Sequence, residues 1–220
     1  MAAVATILES FDIDSPQHGK TFKIDLAEGL DTAHLDFMEA QWTPAMQRQY
    51  SLALLHFFQL PAAERTLEKL DETLAKFDVQ DRHWKWRTKC AIAPGTNRRV
   101  FSLLNADEVE AAMLLLLGKT SRDPTSSLPI VYVDFVAIAP WNRKTFQNPQ
   151  RFRHLGTLML GAAVEFSRTW RLDGRCGLHS LPQSEGFYRH IGMRDFGLDA
   201  AYSSLRYFEF DATGAANFRK

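Results

Sequence analysis

Arg151, Arg153 and His154 stand just ahead of Leu155, Gly156 and Thr157, where a helical rhythm begins. A helix N-terminus holds backbone N–H groups without internal partners and about half a positive charge, so a phosphate can accept from several donors there. The guanidinium groups and the imidazole add side-chain charge, Gly156 admits a close backbone approach, and Thr157 brings a hydroxyl donor. Tyr188 follows on a second helical stretch, and Asp134 lies upstream inside an otherwise apolar run. Burial raises such a carboxyl towards the range useful to a general base. The layout is that of a site for an anionic, phosphate-bearing cofactor.

The elements that must position these residues are legible around them. Ile130 to Ala139 is a near-continuous apolar strand, the pattern of one buried on both faces, and Pro140 stops it. The loop from Trp141 to His154 contains Arg143, Lys144, Arg151, Arg153 and His154 without an acid. A helix follows over Leu155 to Trp170, with Leu158, Ala162 and Phe166 on one face. Asp173-Gly174 turns the chain into a strand, RCGLHS; a short helix from Ser184 to His190 ends at Gly192, and AYSSLRYFEF alternates as a final strand.

Upstream, residues 1 to 30 carry alternating segments that fit a strand or two. From Thr32 the rhythm is helical, and Pro44 predicts a break between two helices, a helical hairpin reaching Leu60. Pro61 suits a helix start, and Leu67, Leu70, Leu74 and Phe77 recur at helical spacing through Lys76, with Glu72 and Lys76 placed to pair. DRHWKWRTK mixes tryptophans with cations and is read as tryptophans in the core with solvated lysines and arginines. Beyond Pro94-Gly95 the strands RVFSLL and VEAAMLLLLG appear. The order of elements implies α/β or α+β, in a single domain of 220 residues whose helical N-terminal part covers 1–95.

Twenty-six basic residues balance twenty-six acidic ones, so no global field draws the chain to nucleic acid or an anionic membrane. Neither is expected as a partner. Cys90 and Cys176 make no disulfide framework, and the seven histidines show no metal-ligand spacing, so no metal is expected. The N-terminus lacks the basic region of a signal peptide, and Ala111 to Leu117 is far short of the roughly 20 residues of a membrane span. A cytoplasmic protein is the expectation, and a homodimer is left open.

Two strings carry a family likeness: Arg151-Phe152-Arg153-His154-Leu155-Gly156 and Phe187-Tyr188-Arg189-His190-Ile191-Gly192-Met193. They resemble the GNAT superfamily of acyl-CoA N-acyltransferases over about residues 99 to 210, with His154 standing where the family pattern has its first glycine. The resemblance implies a mixed, mostly antiparallel central sheet flanked by helices, here with a helical N-terminal extension and an acyl-CoA-binding core over 96–212. It implies that the backbone of Val136, Ala137 and Ile138, on a strand splayed from its neighbour, pairs with the pantetheine arm of the cofactor. Arg151, Arg153, His154, Leu155, Gly156 and Thr157 would hold the pyrophosphate.

Under that resemblance Tyr188 is the general acid for the departing thiolate. A thiol has a pKa of about 8.5 and a phenol about 10, so the transfer is uphill by roughly 2 kcal/mol, and a positioned acid typically contributes on the order of 10² to 10⁴ in rate. Asp134 is the natural base. His179 and Ser180 end the next strand and could hold the water through which a proton leaves. The expected activity is transfer of acetyl from acetyl-CoA to an amine of a small molecule or protein, by direct attack in a ternary complex. The alternative is a non-catalytic acyl-CoA-binding or interaction module on the same fold. Asp36 or Glu39 would greet the amine.

Overall fold

The computed structural model describes residues 5–91 and 96–218; the turn expected at Pro94-Gly95 lies outside them. The architecture is mixed α/β, as expected. Eight strands form one sheet: β1 (Thr6–Ser15), β2 (Lys20–Glu28), β3 (Arg98–Asn105), β4 (Glu108–Thr120), β5 (Pro129–Ile138), β6 (Cys176–Ser180), β7 (Arg194–Asp199) and β8 (Leu205–Phe210). Their order is β1-β2-β3-β4-β5-β6-β8-β7, and every neighbouring pair is antiparallel except β5 with β6. The first thirty residues are therefore part of the same sheet as the later strands.

Six helices accompany it among the described residues: α1 (Thr32–Gln59), α2 (Leu67–Lys76), α3 (Trp86–Cys90), α4 (Leu155–Thr169), α5 (Glu185–His190) and α6 (Ala212–Asn217). Asp31 starts α1 by accepting the His34 N–H, and Thr66 starts α2 in the same way on Lys69. The helical hairpin expected at Pro44 is absent, because α1 runs through it as one helix of 28 residues. Pro44 removes a single hydrogen bond, to the carbonyl of exposed Ala40. Trp42 and Met46 on either side are buried and hold the helix to the domain. On α2 the ion pair is Lys69 with Glu72 at 2.7 Å, in place of the expected Glu72 with Lys76.

Alternation along β4 explains the two layers. Ala111, Met113, Leu115 and Leu117 join the cluster built around α4, whereas Val109, Ala112 and Leu114 join the one built around α1 and Trp86. β4 is thus apolar on both faces, each fully buried Val, Leu or Met side chain contributing roughly 1.5–3 kcal/mol. Two elements escape the sequence pattern. β7 was not anticipated, and the final strand is only β8, since Ala200–Tyr202 is a single helical turn and Ser203 and Ser204 take positive φ.

The feature that makes the site is the path of β5. Its partners on β4 are Leu115 for Val133 and Leu114 for Phe135, so Asp134 is one extra residue, a β-bulge. Pairing with β6 covers Val131 with Cys176, Tyr132 with Gly177 and Val133 with Leu178, and stops there. Past the bulge β5 continues to Ile138 with β4 on one side and open space on the other.

Candidate active site

A cleft of about 1130 Å³ occupies that opening. Its walls include Asp134 to Ile138 on β5, Leu178 to Leu181 at the end of β6, the start of α4, and Phe187 and Tyr188 on α5. The Ala139 N–H bonds to the Glu110 carbonyl on β4, so by the two-residue period the backbone groups of Ala137 also face β4. Those of Val136 and Ile138 face the cleft. Of the three residues expected to pair with a pantetheine arm, Ala137 therefore presents no free backbone group there. The Ile138 carbonyl is already taken by Arg143, from Nε at 3.1 Å and from a terminal nitrogen at 3.1 Å.

The start of α4 opens onto the same cleft. His154, the residue before it, has φ 63° and ψ 7°, the left-handed conformation that a glycine adopts freely and a histidine seldom does. No side chain caps the helix, and Leu155, Gly156 and Thr157 line the cleft. Their N–H groups are left for an anion. Arg153 and Lys144 are exposed at the same mouth. Gly156 has a second function, because a Cβ there would lie 3.3 Å from the Phe187 ring.

Arg151 does not join them. It pairs with Glu108 and, at 3.0 Å, with Glu110, and it is not among the residues lining the cleft. Glu110 lies on β4 with no exposed surface, and it also accepts from Trp141 Nε1 at 2.7 Å and Asn142 Nδ2 at 2.6 Å. Burial pushes its carboxyl up, while Arg151, Asn142 and Trp141 pull it down. The basic loop is thus fastened at its two ends to one buried acid. Arg143 is held likewise, by Asp81 at 2.9 and 2.6 Å.

Tyr188 is buried, with its ring 5.2 Å from Phe187 and 5.5 Å from Phe208. It lines the cleft, and among the described residues its hydroxyl has no hydrogen-bond partner and is not sealed from the surface. Burial raises the phenol, with the Cys176 thiol adding to the effect, so it stays protonated. Asp134 is half-buried, and burial raises its carboxyl against the pull of Arg98, Lys89 and Lys119. The bulge breaks the alternation that would join Asp134 to Val136 and Ile138: Val131 and Val133 face the α4 cluster before it, Val136 and Ile138 after it.

A helix N-terminus and a tyrosine meet here across two parallel strands that part at Val133 and Leu178. This is the arrangement that the resemblance to the GNAT superfamily implies. No family model matches the chain, and no curated protein does. Similar solved structures include PaiA N-acetyltransferase of Thermoplasma acidophilum in complex with coenzyme A, 11% identical, covering 84% of this chain and 97% of that one at a TM-score of 0.44. A candidate arylalkylamine N-acetyltransferase 7 of the mosquito Aedes aegypti is 10% identical, covering 95% and 96% at a TM-score of 0.48. The KacTA–DNA complex is 14% identical, covering 64% and 82% at a TM-score of 0.42. That last description names DNA beside the protein, so it lends the expected absence of a nucleic-acid partner no support. With scores of this size, the functional reading of this chain rests on its own geometry.

The N-terminal part reaches the cleft through Asp78, Asp81, His83 and Trp84, where Gln80 and Gln183 accept each other's backbone N–H groups and clasp the two halves. Asp36 and Glu39 do not reach it, because both bind Arg87. Trp86 is buried and Trp84 packs edge-on to Phe135 at 4.9 Å, so the tryptophans belong to the core and the cleft wall. His179 does line the cleft, and its partners, Tyr132 and Asp199, were invisible in the sequence. The Ser180 hydroxyl instead turns back to the Leu181 carbonyl at 2.8 Å. Among the described residues no three His, Cys, Asp or Glu side chains gather to hold a metal, and no helix is long and apolar enough to cross a membrane.

Proposed function

We propose that this chain transfers an acyl group, acetyl in the first instance, from acyl-CoA to an amine of a small molecule or protein. The observation that carries the reading is the fork: β5 runs five residues beyond its last pairing with β6, and its outward backbone groups lead to the uncapped start of α4. An extended, amide-bearing arm pairs with such an edge as an added strand does, and a pyrophosphate at its far end meets the N–H groups of Leu155, Gly156 and Thr157 with Arg153 and His154 beside them. The thioester then lies in the fork. Val136 and Ile138 supply the strand edge, Ala137 packs behind it, and Arg151 supports the loop without touching the cofactor.

The residues present favour direct attack in a ternary complex. Cys176, whose thiol burial pushes up to about 12, is unsuited to carry an acyl group. Asp134 engages the incoming ammonium and begins its deprotonation, and Tyr188 gives its proton to the departing sulfur. Deprotonating an ammonium of pKa about 10.4 at pH 7 costs roughly 4 to 5 kcal/mol, and a half-buried carboxylate offsets part of it. The test is a melting scan with acetyl-CoA followed by thiol release on a panel of amines. A ligand at about 100 times its Kd stabilises by roughly 2.7 kcal/mol. No shift with any acyl-CoA would remove the reading, and a shift without turnover would favour the non-catalytic binding module.

A further inference from the structure

The acyl transfer leaves one cluster of titratable side chains in the cleft without a task. The Tyr132 hydroxyl on β5 lies 2.8 Å from His179 Nδ1 on β6, and His179 Nε2 lies 3.0 Å from Asp199 at the end of β7. Asp199 is also paired with Arg122, so it is a carboxylate and only accepts. The ring hydrogen of neutral His179 is therefore on Nε2, Nδ1 carries a lone pair, and Tyr132 donates to it. The Tyr202 ring stacks on the imidazole at 4.0 Å and 1°, and Tyr207 packs at 4.9 Å. Burial, then Arg122, push the imidazole down to about 4, which keeps Nδ1 unprotonated at neutral pH.

The chain begins where the strands part. Tyr132 precedes the last β5–β6 pair by one residue, and both Tyr132 and His179 line the cleft. The side chain of Asp199 is 15% exposed and that of Arg122 39%, so the path leads outward from the fork.

Resting on the acyl transfer above, we propose that Tyr132 and His179 take the second proton of the attacking nitrogen, with Asp199 positioning the imidazole to receive it. An ammonium acceptor loses two protons in becoming an amide, and only one is returned, to sulfur. The first leaves before attack, with Asp134. As the C–N bond forms, the adduct nitrogen becomes cationic; it passes a proton to the Tyr132 oxygen while Tyr132 passes its own to Nδ1. The C–S bond breaks and the sulfur takes the Tyr188 proton. Tyr188 is then reprotonated and His179 released, for a net proton to water. The cationic adduct is a stronger acid than a free ammonium, so a weakly basic imidazole suffices.

The test compares thiol release from acetyl-CoA by the parent chain, Tyr132→Phe and His179→Gln on a panel of primary amines, with calorimetric Kd for acetyl-CoA. Glutamine accepts from Tyr132 and donates to Asp199 but holds no proton. Both variants should lower kcat about 100-fold with Kd unchanged, and the double variant should be no slower than either. Parental kcat in either variant would overturn the relay and leave acyl transfer standing. A parent silent on every amine would remove the transferase reading and the relay with it. Nitrogen-15 spectra of the parent should place the His179 hydrogen on Nε2, and finding it on Nδ1 would also overturn the relay.

Discussion

The ring of Phe187 rests on Gly156 so closely that a methyl group at that glycine would lie 3.3 Å from the ring's Cζ. A side chain at the glycine that opens α4 would thus press on the protein's own aromatic ring. Gly156→Ala should overpack the contact at a cost of about 1–3 kcal/mol, and lower the melting temperature by about 2–4 °C for each kcal/mol. Calorimetry on Gly156→Ala and on Gly156→Ala with Phe187→Leu checks the cause, because the smaller side chain should restore most of the loss.

His154 occupies a left-handed position at φ 63°. A β-branched side chain is a true outlier there, so His154→Val should cost about 1–3 kcal/mol. His154→Gly relieves the backbone but loosens the unfolded chain, and the two effects of about 1 kcal/mol each nearly cancel. Urea unfolding of the pair should separate them clearly, the valine variant alone losing stability.

Arg151 and Arg153 are two residues apart and should fail differently. Arg153→Ala should weaken acetyl-CoA binding about tenfold, one charge-assisted hydrogen bond of about 1.5 kcal/mol, with the melting temperature unchanged.

Arg151→Ala should instead leave Glu110 buried with an uncompensated charge, a loss of about 3–5 kcal/mol. The pH dependence gives it away. Folding raises the Glu110 carboxyl, so its contribution is full below the unfolded value of about 4.3 and is lost as pH rises through the folded value. Losing Arg151 raises that folded value further, so the deficit should be larger at pH 7 than at pH 4. Unfolding at the two pH values measures it, and equal deficits would contradict the assignment.

Tyr188 offers a test in which stability and turnover part company. Its hydroxyl has no protein partner among the described residues, so Tyr188→Phe removes no hydrogen bond and should melt with the parent. Turnover at saturating acetyl-CoA should fall by on the order of 10² to 10⁴. A full rate in the phenylalanine variant would exclude the phenol as the acid.

What the sequence disclosed was local. The buried strand from Ile130, the helix opening at Leu155 and the short helix bearing Tyr188 each follow from neighbours a few positions away, through hydrophobic period and charge. Pro44 misled because its local cost is outweighed by the burial of Trp42 and Met46, a tertiary term that propensity does not contain. Arg151 read as a cofactor ligand because Glu110, 41 residues earlier, meets it only once β4 is beside the loop. The same holds for Tyr132, His179 and Asp199, which lie on three strands. The left-handed turn at His154, by contrast, stood in the sequence as a departure at a glycine position, and the backbone there does take the glycine conformation.

The extra residue at Asp134 sets how this cleft can change over time. Substitutions along β5 alter what the opening holds, but the opening itself depends on a count, one residue more in β5 than β4 requires. Losing that residue would let β5 pair with β4 without interruption, keeping Val136 and Ile138 on their face but removing the bend by which β5 leaves β6. Point changes can retune such a site gradually, whereas a one-codon deletion would abolish it in a single step.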